Sequence, residues 1–286
     1  MKNIVGVCII LFLSFCIAFA NEPVKYGMNP QAGRYVQSGD AKIYYEIYGQ
    51  GEPLMLLHGG LFGYIDEYER IIPELSRNHM VIAVATRGHG KSELGNQPLS
   101  YQLLAKDFAT VIETIRVESV NVVGFSDGAI VGYHLAVLYP KLVKKLIAVG
   151  GPLGPSGSTE EGLKDLNSFD SPEVLNELPA EFVTQRKQLM PNAADWDRFV
   201  RSLGKMWNQN EYISKEKIRS IECPVMVAAG DHDEYVKPEH LVEIYRSLQK
   251  GQLAVIPNSR HTVFNSNPDL MLKLIRNFLS ENLSRY

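Results

Sequence analysis

The 286-residue sequence is poor in cysteine. Two of its three cysteines, Cys8 and Cys16, lie within residues 1–20, so Cys223 stands alone in the rest of the chain. A lone cysteine cannot form an internal disulfide. The chain must therefore fold by burying an apolar core, and its roughly 266 remaining residues are enough for one large domain.

An excess of positive charge is also missing. The 29 Lys and Arg residues are outnumbered by 32 Asp and Glu residues, which gives a formal net charge of −3. Proteins that bind nucleic acid need a basic face, so we expect no nucleic-acid partner. Beyond residue 20 the sequence also lacks internal repeats, low-complexity tracts and membrane-spanning apolar runs, and it does not indicate an oligomeric state.

The N-terminal segment has the layout of a secretory signal. Residues 1–20 contain Lys2, a long apolar run and the small-x-small ending Ala18-Phe19-Ala20. The apolar run is about 17 residues, the lower edge of what spans a bilayer, so a membrane anchor is the alternative. A lipoprotein signal at Cys16 is disfavoured by the bulky residue before it. We predict that residues 1–20 are cleaved and that the mature protein is secreted or periplasmic, without a membrane anchor.

The remaining chain alternates between strand-like and helix-like segments. Residues Tyr35 to Tyr48 alternate apolar and polar side chains around a Ser-Gly-Asp turn, which predicts an antiparallel hairpin. Later apolar runs such as "PLMLLHGG", "MVIAVA" and "SVNVVGF" are unbroken, as in strands covered on both faces. Helical patterns lie between them. The sequence therefore predicts an α/β fold with a mostly parallel, doubly wound sheet.

One long segment interrupts this alternation. Residues 152–217 show no strand pattern and contain three helix-like stretches separated by Gly and Pro. We predict a helical cap inserted between two sheet strands, with residues 21–151 and 218–286 forming the core. Ligands of open parallel sheets bind beyond the carboxyl ends of the strands, so such a cap is placed to cover a site.

The stretch "VNVVGFSDGAIVGYH" carries the first sign of chemistry. A buried strand runs into a helix through Gly124-Phe125-Ser126-Asp127-Gly128, a G-x-S-x-G turn. At such a turn the Ser126 hydroxyl projects above the sheet next to a helix N-terminus, and a Cβ at either glycine would collide. A serine nucleophile needs a base, and a histidine base needs a carboxylate.

An acid and a histidine follow two later strands. The run "VMVAAGDHDEYV" ends in Asp231 and Asp233, and "LAVIPNSRHTVF" brings His261 after the next strand. The chain order is therefore Ser126, an aspartate and His261. On this pattern either aspartate is a candidate for the acid.

These motifs, in this order, resemble the α/β-hydrolase fold family over nearly the whole chain except the insertion. In that family the strand before the acid commonly ends in G-x-x-D, which selects Asp233 over Asp231. The resemblance further implies an oxyanion hole made by the backbone N–H groups of Gly60, in "LLHGG", and Asp127. It implies a serine hydrolase that cleaves a small or medium carboxylic ester through an acyl-enzyme, with a small-molecule substrate and no cofactor or metal.

Other functions remain open on the same scaffold. Lactone, thioester, amide or carbon–carbon bond hydrolysis, or the use of peroxide, cannot be separated from ester hydrolysis by fold likeness. A non-catalytic binding protein is a further alternative, which an intact Ser, Asp and His disfavour.

The glycine-rich stretch "ATRGHGKS" loosely fits a phosphate-binding loop. That loop needs a helix to start at its end, yet turn formers and Pro98 follow, so we do not expect nucleotide binding. The stretch instead matches the R-G-x-G-x-S motif of many α/β-hydrolases at Arg87 to Ser92. Ala85 stands where the family often has an acid.

Roles for the other histidines are weaker. We expect His58 to shape the oxyanion loop. The histidines expected to be ordinary surface or loop residues are His89, His134, His232 and His240. A metal site among Asp231 to His240 is disfavoured because Asp233 is needed by His261.

Four further side chains lie outside these motifs or have no role in them. Cys223 is predicted to be buried and unreactive. Trp196 and Trp207 either line an acyl pocket or pack within the cap. The sequence gives no role for the Asp127 side chain.

Overall fold

The computed structural model describes residues 24–169, 171 and 173–280. The predicted signal segment, residues 1–20, lies outside this part of the chain. Within the described ranges, no helix is long and apolar enough to cross a membrane.

A single eight-stranded sheet runs through the centre of the protein, in the order β1-β2-β4-β3-β5-β6-β7-β8. β1 and β2 form the predicted antiparallel hairpin, β2 pairs antiparallel with β4, and β3 to β8 are parallel. The strands are β1 Gly33–Ser38, β2 Ala41–Tyr48, β3 Glu52–Leu57, β4 His79–Val84, β5 Val120–Phe125, β6 Val143–Val149, β7 Val225–Gly230 and β8 Gly251–Ile256. The predicted mostly parallel sheet is confirmed.

Helices cover both faces of this sheet. They are α1 Ile72–Leu75, α2 Tyr101–Ile115, α3 Asp127–Leu138, α4 Glu160–Ser168, α5 Val174–Glu177, α6 Ala180–Leu189, α7 Trp196–Trp207, α8 Lys215–Arg219, α9 Pro238–Ser247, α10 Val263–Ser266 and α11 Pro268–Ser280. Alternate residues of β3 enter different apolar clusters, because successive side chains of a strand point to opposite faces. One cluster includes α2, α3 and α9, and the other includes α1 and α11.

The segment between β6 and β7 contains α4 to α8, and the residues 152–217 predicted as a cap lie in it. Its helix α7 buries an apolar face that includes Phe199, Val200 and Leu203. These positions recur at helical spacing, so one side of the helix is buried while the other meets solvent.

Two of the helical segments are short and have a proline at their start. A 3₁₀ turn at Ile65–Tyr68 is followed by the one-turn helix α1, in which Pro73 lies in the first turn. In the insertion, α5 and α6 are separate helices, with Pro179 at the N-cap of α6. Proline lacks an N–H donor, so it is tolerated at a helix start and not in its interior.

Candidate active site

The turn between β5 and α3 holds Ser126 in a strained backbone conformation, with φ 52° and ψ −118°. Positive φ is rare for a residue with a side chain and marks a position that the surroundings enforce. A Cβ on Gly124 would lie 2.3 Å from the Gly128 carbonyl oxygen, and one on Gly128 would lie 2.0 Å from the Leu57 carbonyl oxygen. Only glycine fits at either place, as the motif predicted.

The structure brings Ser126, His261 and Asp233 within hydrogen-bond distance of one another. Ser126 Oγ lies 3.0 Å from His261 Nε2, and His261 Nδ1 lies 3.0 Å from both carboxylate oxygens of Asp233. An ionised carboxylate only accepts hydrogen bonds, so Nδ1 carries the proton and Nε2 is free to accept the Ser126 proton. Asp233 is itself fixed by the N–H groups of Tyr235 and Val236.

Asp231, the other candidate acid, has a different setting. Its carboxylate accepts the Ser259 N–H at 3.0 Å and contacts the exposed His232 ring at 2.8 Å. These bonds, the Ser259 N–H first, lower the pKa of Asp231 to about 2. The structure therefore places Asp231 in the turn and Asp233 behind His261.

The His261 ring is held between two aromatic side chains. The Phe125 and Tyr235 ring centroids lie 4.9 Å and 4.8 Å from the imidazole centroid. Gly150, with φ +64°, passes so close that a Cβ there would lie 2.9 Å from His261 Cε1. The ring therefore has little room to turn away from Ser126.

The loop after β3 brings Gly59 and Gly60 over the serine turn. A Cβ on Gly59 would lie 3.5 Å from Ser126 Cβ, and one on Gly60 would lie 2.7 Å from Trp207 Cζ2. Asp127 is the first residue of α3, and the first N–H groups of a helix have no acceptor within it. The two backbone segments predicted to hold an oxyanion thus border the same space.

His58 lies buried beneath this loop. Its Nδ1–H donates to the Gly59 carbonyl at 2.8 Å, and its Nε2 accepts the Thr86 N–H at 3.1 Å. Burial lowers the pKa of His58 to about 4, so the ring is neutral, as both bonds require. Its position agrees with the expected part in shaping the loop.

The Asp127 side chain connects the serine turn to the cap. Its carboxylate accepts the Trp207 indole N–H at 2.8 Å and the Tyr101 hydroxyl at 2.9 Å. Burial raises the pKa of this carboxyl, and the two donors oppose that shift. Trp207 ends α7, so the bond spans from the cap to the residue next to the nucleophile. Trp196 instead packs within the cap against Phe182 and Phe199.

A cavity of about 320 Å³ opens in front of Ser126 and His261. Its apolar walls are Leu61, Phe62, Phe125, Leu166, Phe169 and Trp207. Carboxylates at its edges belong to Glu67, Asp165 and Glu234. A mainly apolar cavity with a few polar groups at one end is typical of small-molecule sites.

The expectation of ordinary surface or loop histidines was wrong for His134 and His240, which are buried in α3 and α9, whereas His89 lies in a loop as expected but is also buried. Each of the three has a polar partner for at least one ring nitrogen. His89 contacts Thr86 Oγ1 and the Gly60 carbonyl, His134 Nε2 contacts the Tyr212 carbonyl, and His240 Nε2 accepts the Leu153 N–H. Sequence patterns gave no sign of these partners. His232 is exposed, as expected.

The metal-site alternative finds no support in the structure. Among residues 24–169, 171 and 173–280 no group of three or more His, Cys, Asp or Glu side chains could hold a metal ion. Cys223 is half-buried, and burial raises the pKa of its thiol to about 12, which agrees with an unreactive side chain.

The stretch "ATRGHGKS" is built around a buried ion pair. Arg87 bonds Asp107 through Nε at 2.6 Å and Nη2 at 3.0 Å, and Asp40 through Nη1 at 2.7 Å. Ser92 Oγ donates to the Ala85 carbonyl, so the stretch closes on itself. The next helix is α2, which begins only at Tyr101. The contacts are those of a structural loop.

Residues 54–274 match the model of the alpha/beta hydrolase family. The chain belongs to this family. The fold built on its eight-stranded, mostly parallel sheet is similar to that of the enol-lactonase from Burkholderia xenovorans LB400. The two structures superpose with a TM-score of 0.70 and 17% sequence identity, and the match covers 87% of this chain and all of that one.

Relatives of this hydrolase carry names for different reactions. A putative esterase/lipase of Haemophilus influenzae is 27% identical over 247 residues, which cover 80% of this chain and 84% of that protein. A putative carbamate hydrolase of Azorhizobium caulinodans is 26% identical over 261 residues, 86% of this chain and 98% of that protein. The family therefore establishes a hydrolase and leaves the bond it cleaves to be decided.

Proposed function

We propose that this protein is a serine hydrolase that cleaves a small or medium carboxylic ester through an acyl-enzyme on Ser126. The observation that carries the proposal is the set of three 3.0 Å contacts that link the Ser126 hydroxyl, the His261 ring and the Asp233 carboxylate, with Ser126 and His261 lining a cavity. Such a connected trio is what a serine nucleophile requires.

In the proposed mechanism, His261 Nε2 takes the proton of Ser126 as its oxygen attacks the ester carbonyl. The Asp233 carboxylate holds the ring and stabilises the imidazolium that forms. The N–H groups of Gly60 and Asp127 bind the oxyanion, and losing one such donor typically lowers kcat by about 10²–10³-fold. His261 then protonates the leaving alcohol. Water, deprotonated by His261, releases the acid from Ser126.

The cavity supports a substrate of limited size. At about 320 Å³ it lies near the lower end of the volumes typical of ligand pockets, which suits short or medium acyl groups. In this proposal residues 152–217 act as a cap, and Trp207 and Phe169 narrow the space around the reacting carbonyl and exclude water. Relatives named for carbamates and enol-lactones make those bonds the alternatives.

The proposal is tested with a fluorophosphonate probe and short p-nitrophenyl esters. We expect the wild type to be labelled at Ser126 and to turn over the esters, and Ser126→Ala to lose both while its circular dichroism spectrum stays unchanged. A folded protein that is neither labelled nor active would overturn the proposal. Turnover of carbamate and lactone analogues, measured in the same assay, then shows which class of bond is cleaved fastest.

We also propose that residues 1–20 direct export and are then removed, from the apolar run that ends in Ala18-Phe19-Ala20. Mass spectrometry of protein purified from the periplasm or medium should give an N-terminus at Asn21. Protein that retains Met1 in the membrane fraction would contradict cleavage.

A further inference from the structure

The two consecutive glycines of the oxyanion loop need external support. Gly59 and Gly60 have no side chains of their own and the widest backbone freedom of any residue. An oxyanion donor must keep a fixed direction for its N–H to stabilise charge as it develops. The contacts of the loop show how this direction is held.

Each peptide around Gly60 is bonded to a group outside the loop or to the turn that follows. The Gly59 carbonyl accepts His58 Nδ1–H at 2.8 Å. The Gly60 carbonyl accepts the Gly63 N–H at 2.7 Å and lies 3.2 Å from His89 Nε2. Because N–H and C=O of a trans peptide point in opposite directions, the bond from buried His58 to the Gly59 carbonyl directs the Gly60 N–H away from His58.

The remaining peptide is held by Glu67. Its Oε2 accepts the Gly59 N–H at 2.8 Å. Glu67 belongs to a 3₁₀ turn whose flanking residues Ile65 and Tyr68 are buried, and the Tyr68 hydroxyl donates to the Leu57 carbonyl at 2.7 Å. The turn is thus fixed to the end of β3, and the carboxylate has a defined place from which to hold the loop.

We propose that Glu67 is a positioning residue that holds Gly59 so that the Gly60 N–H points at the oxyanion, an assignment that rests on the proposed serine hydrolase function. Glu67 acts through the backbone and need not touch the substrate. A charged acceptor makes a stronger hydrogen bond than a neutral one, so an ionised carboxylate is well suited to this task.

The test compares Glu67→Gln with Glu67→Met, two side chains of similar length. Gln keeps an oxygen that can accept the Gly59 N–H, and Met does not. At pH 8 we expect Glu67→Gln to keep kcat within about threefold of wild type. The kcat of Glu67→Met should fall about 10–100-fold, which is part of the loss that follows removal of an oxyanion donor. KM should stay within about twofold in both. Glu69→Met, an exposed neighbour, is the control and should behave as wild type.

A second readout separates positioning from a general structural effect. A trifluoromethyl ketone forms a tetrahedral oxyanion on Ser126, so its affinity should fall in Glu67→Met by the same factor as kcat/KM. The affinity of a matched methyl ether, which forms no oxyanion, should stay unchanged. The proposal would be overturned if Glu67→Met had the kcat of wild type, or if kcat fell by the same factor in Glu67→Gln and Glu67→Met. An inactive wild type would instead overturn the proposed function.

Discussion

The cavity has two sides that differ in construction. On one, the sheet side, the proposed reactive groups lie in turns that follow β5, β7 and β8. On the other, the cap side, the wall is formed by side chains from α4 and α7. The sheet side is fixed by backbone, since Ser126, Gly124 and Gly150 have conformations or contacts that few residues allow. The cap side is fixed by side-chain contacts, chiefly the bond from Trp207 to Asp127. In the proposed function, the chemistry belongs to the sheet side and the choice of substrate to the cap side.

The largest expected effect follows substitution of Asp233, the proposed acid on the sheet side. Asp233→Asn keeps the shape of the side chain but presents an N–H to His261, which favours the wrong tautomer and should lower kcat by about 10⁴-fold. Asp231→Asn is the matched control, and its kcat should stay within about threefold because Asp231 bonds only the turn. Steady-state kinetics on a p-nitrophenyl ester measure both. The reverse pattern would make Asp231 the acid.

The sheet side was largely predictable from the sequence. Apolar runs such as "VNVVGF" predict buried strands. A parallel sheet then brings the carboxyl ends of β5, β7 and β8 to one edge. In G-x-S-x-G, Gly124 avoids a collision with the Gly128 carbonyl, and Gly128 avoids one with the Leu57 carbonyl at the end of β3. Both requirements fall on glycines of one five-residue motif, so they leave a pattern in the sequence.

The cap side and the loop supports were not predictable in this way. Asp127 and Trp207 are 80 positions apart, and no local pattern marks either as the partner of the other. Glu67 lies in a stretch rich in charges, where nothing distinguishes it from Glu69. The buried histidines were missed for the same reason, since a partner such as the Tyr212 carbonyl of His134 lies far along the chain.

An intermediate effect is expected on the cap side. Trp207→Phe keeps most of the apolar wall but removes the indole N–H, which leaves the buried Asp127 carboxylate with the Tyr101 hydroxyl as its side-chain donor. A lost bond to a buried group costs about 1–3 kcal/mol, so the free energy of unfolding should fall by that amount. KM should rise several-fold as the wall loosens, with kcat changed by less than about threefold.

Trp196→Phe makes the same substitution inside the cap and away from Asp127. Its KM should match that of wild type, and chemical denaturation with parallel kinetics compares the two variants. If Trp207→Phe lowers kcat and leaves KM unchanged, Trp207 contributes to the chemical step. The division between sheet and cap would then be wrong.

The smallest expected effect is on the pH dependence of kcat/KM. It tests the part that Glu67 plays on the sheet side. Burial raises the pKa of Glu67 to about 7, the bond from the Gly59 N–H opposes that shift, and the titratable or charged groups near it are His261, Asp66 and Arg186. Glu67 is thus ionised above about pH 7 and neutral below it, where its hold on Gly59 weakens. Protonation of Glu67 therefore adds to the loss of log(kcat/KM) in acid. Glu67→Gln lacks this protonation, so its log(kcat/KM) should fall less steeply below pH 7 than that of wild type, with a rate difference below about tenfold at pH 6. Identical acid limbs in the two proteins would show that Glu67 does not titrate in the range where the loop matters.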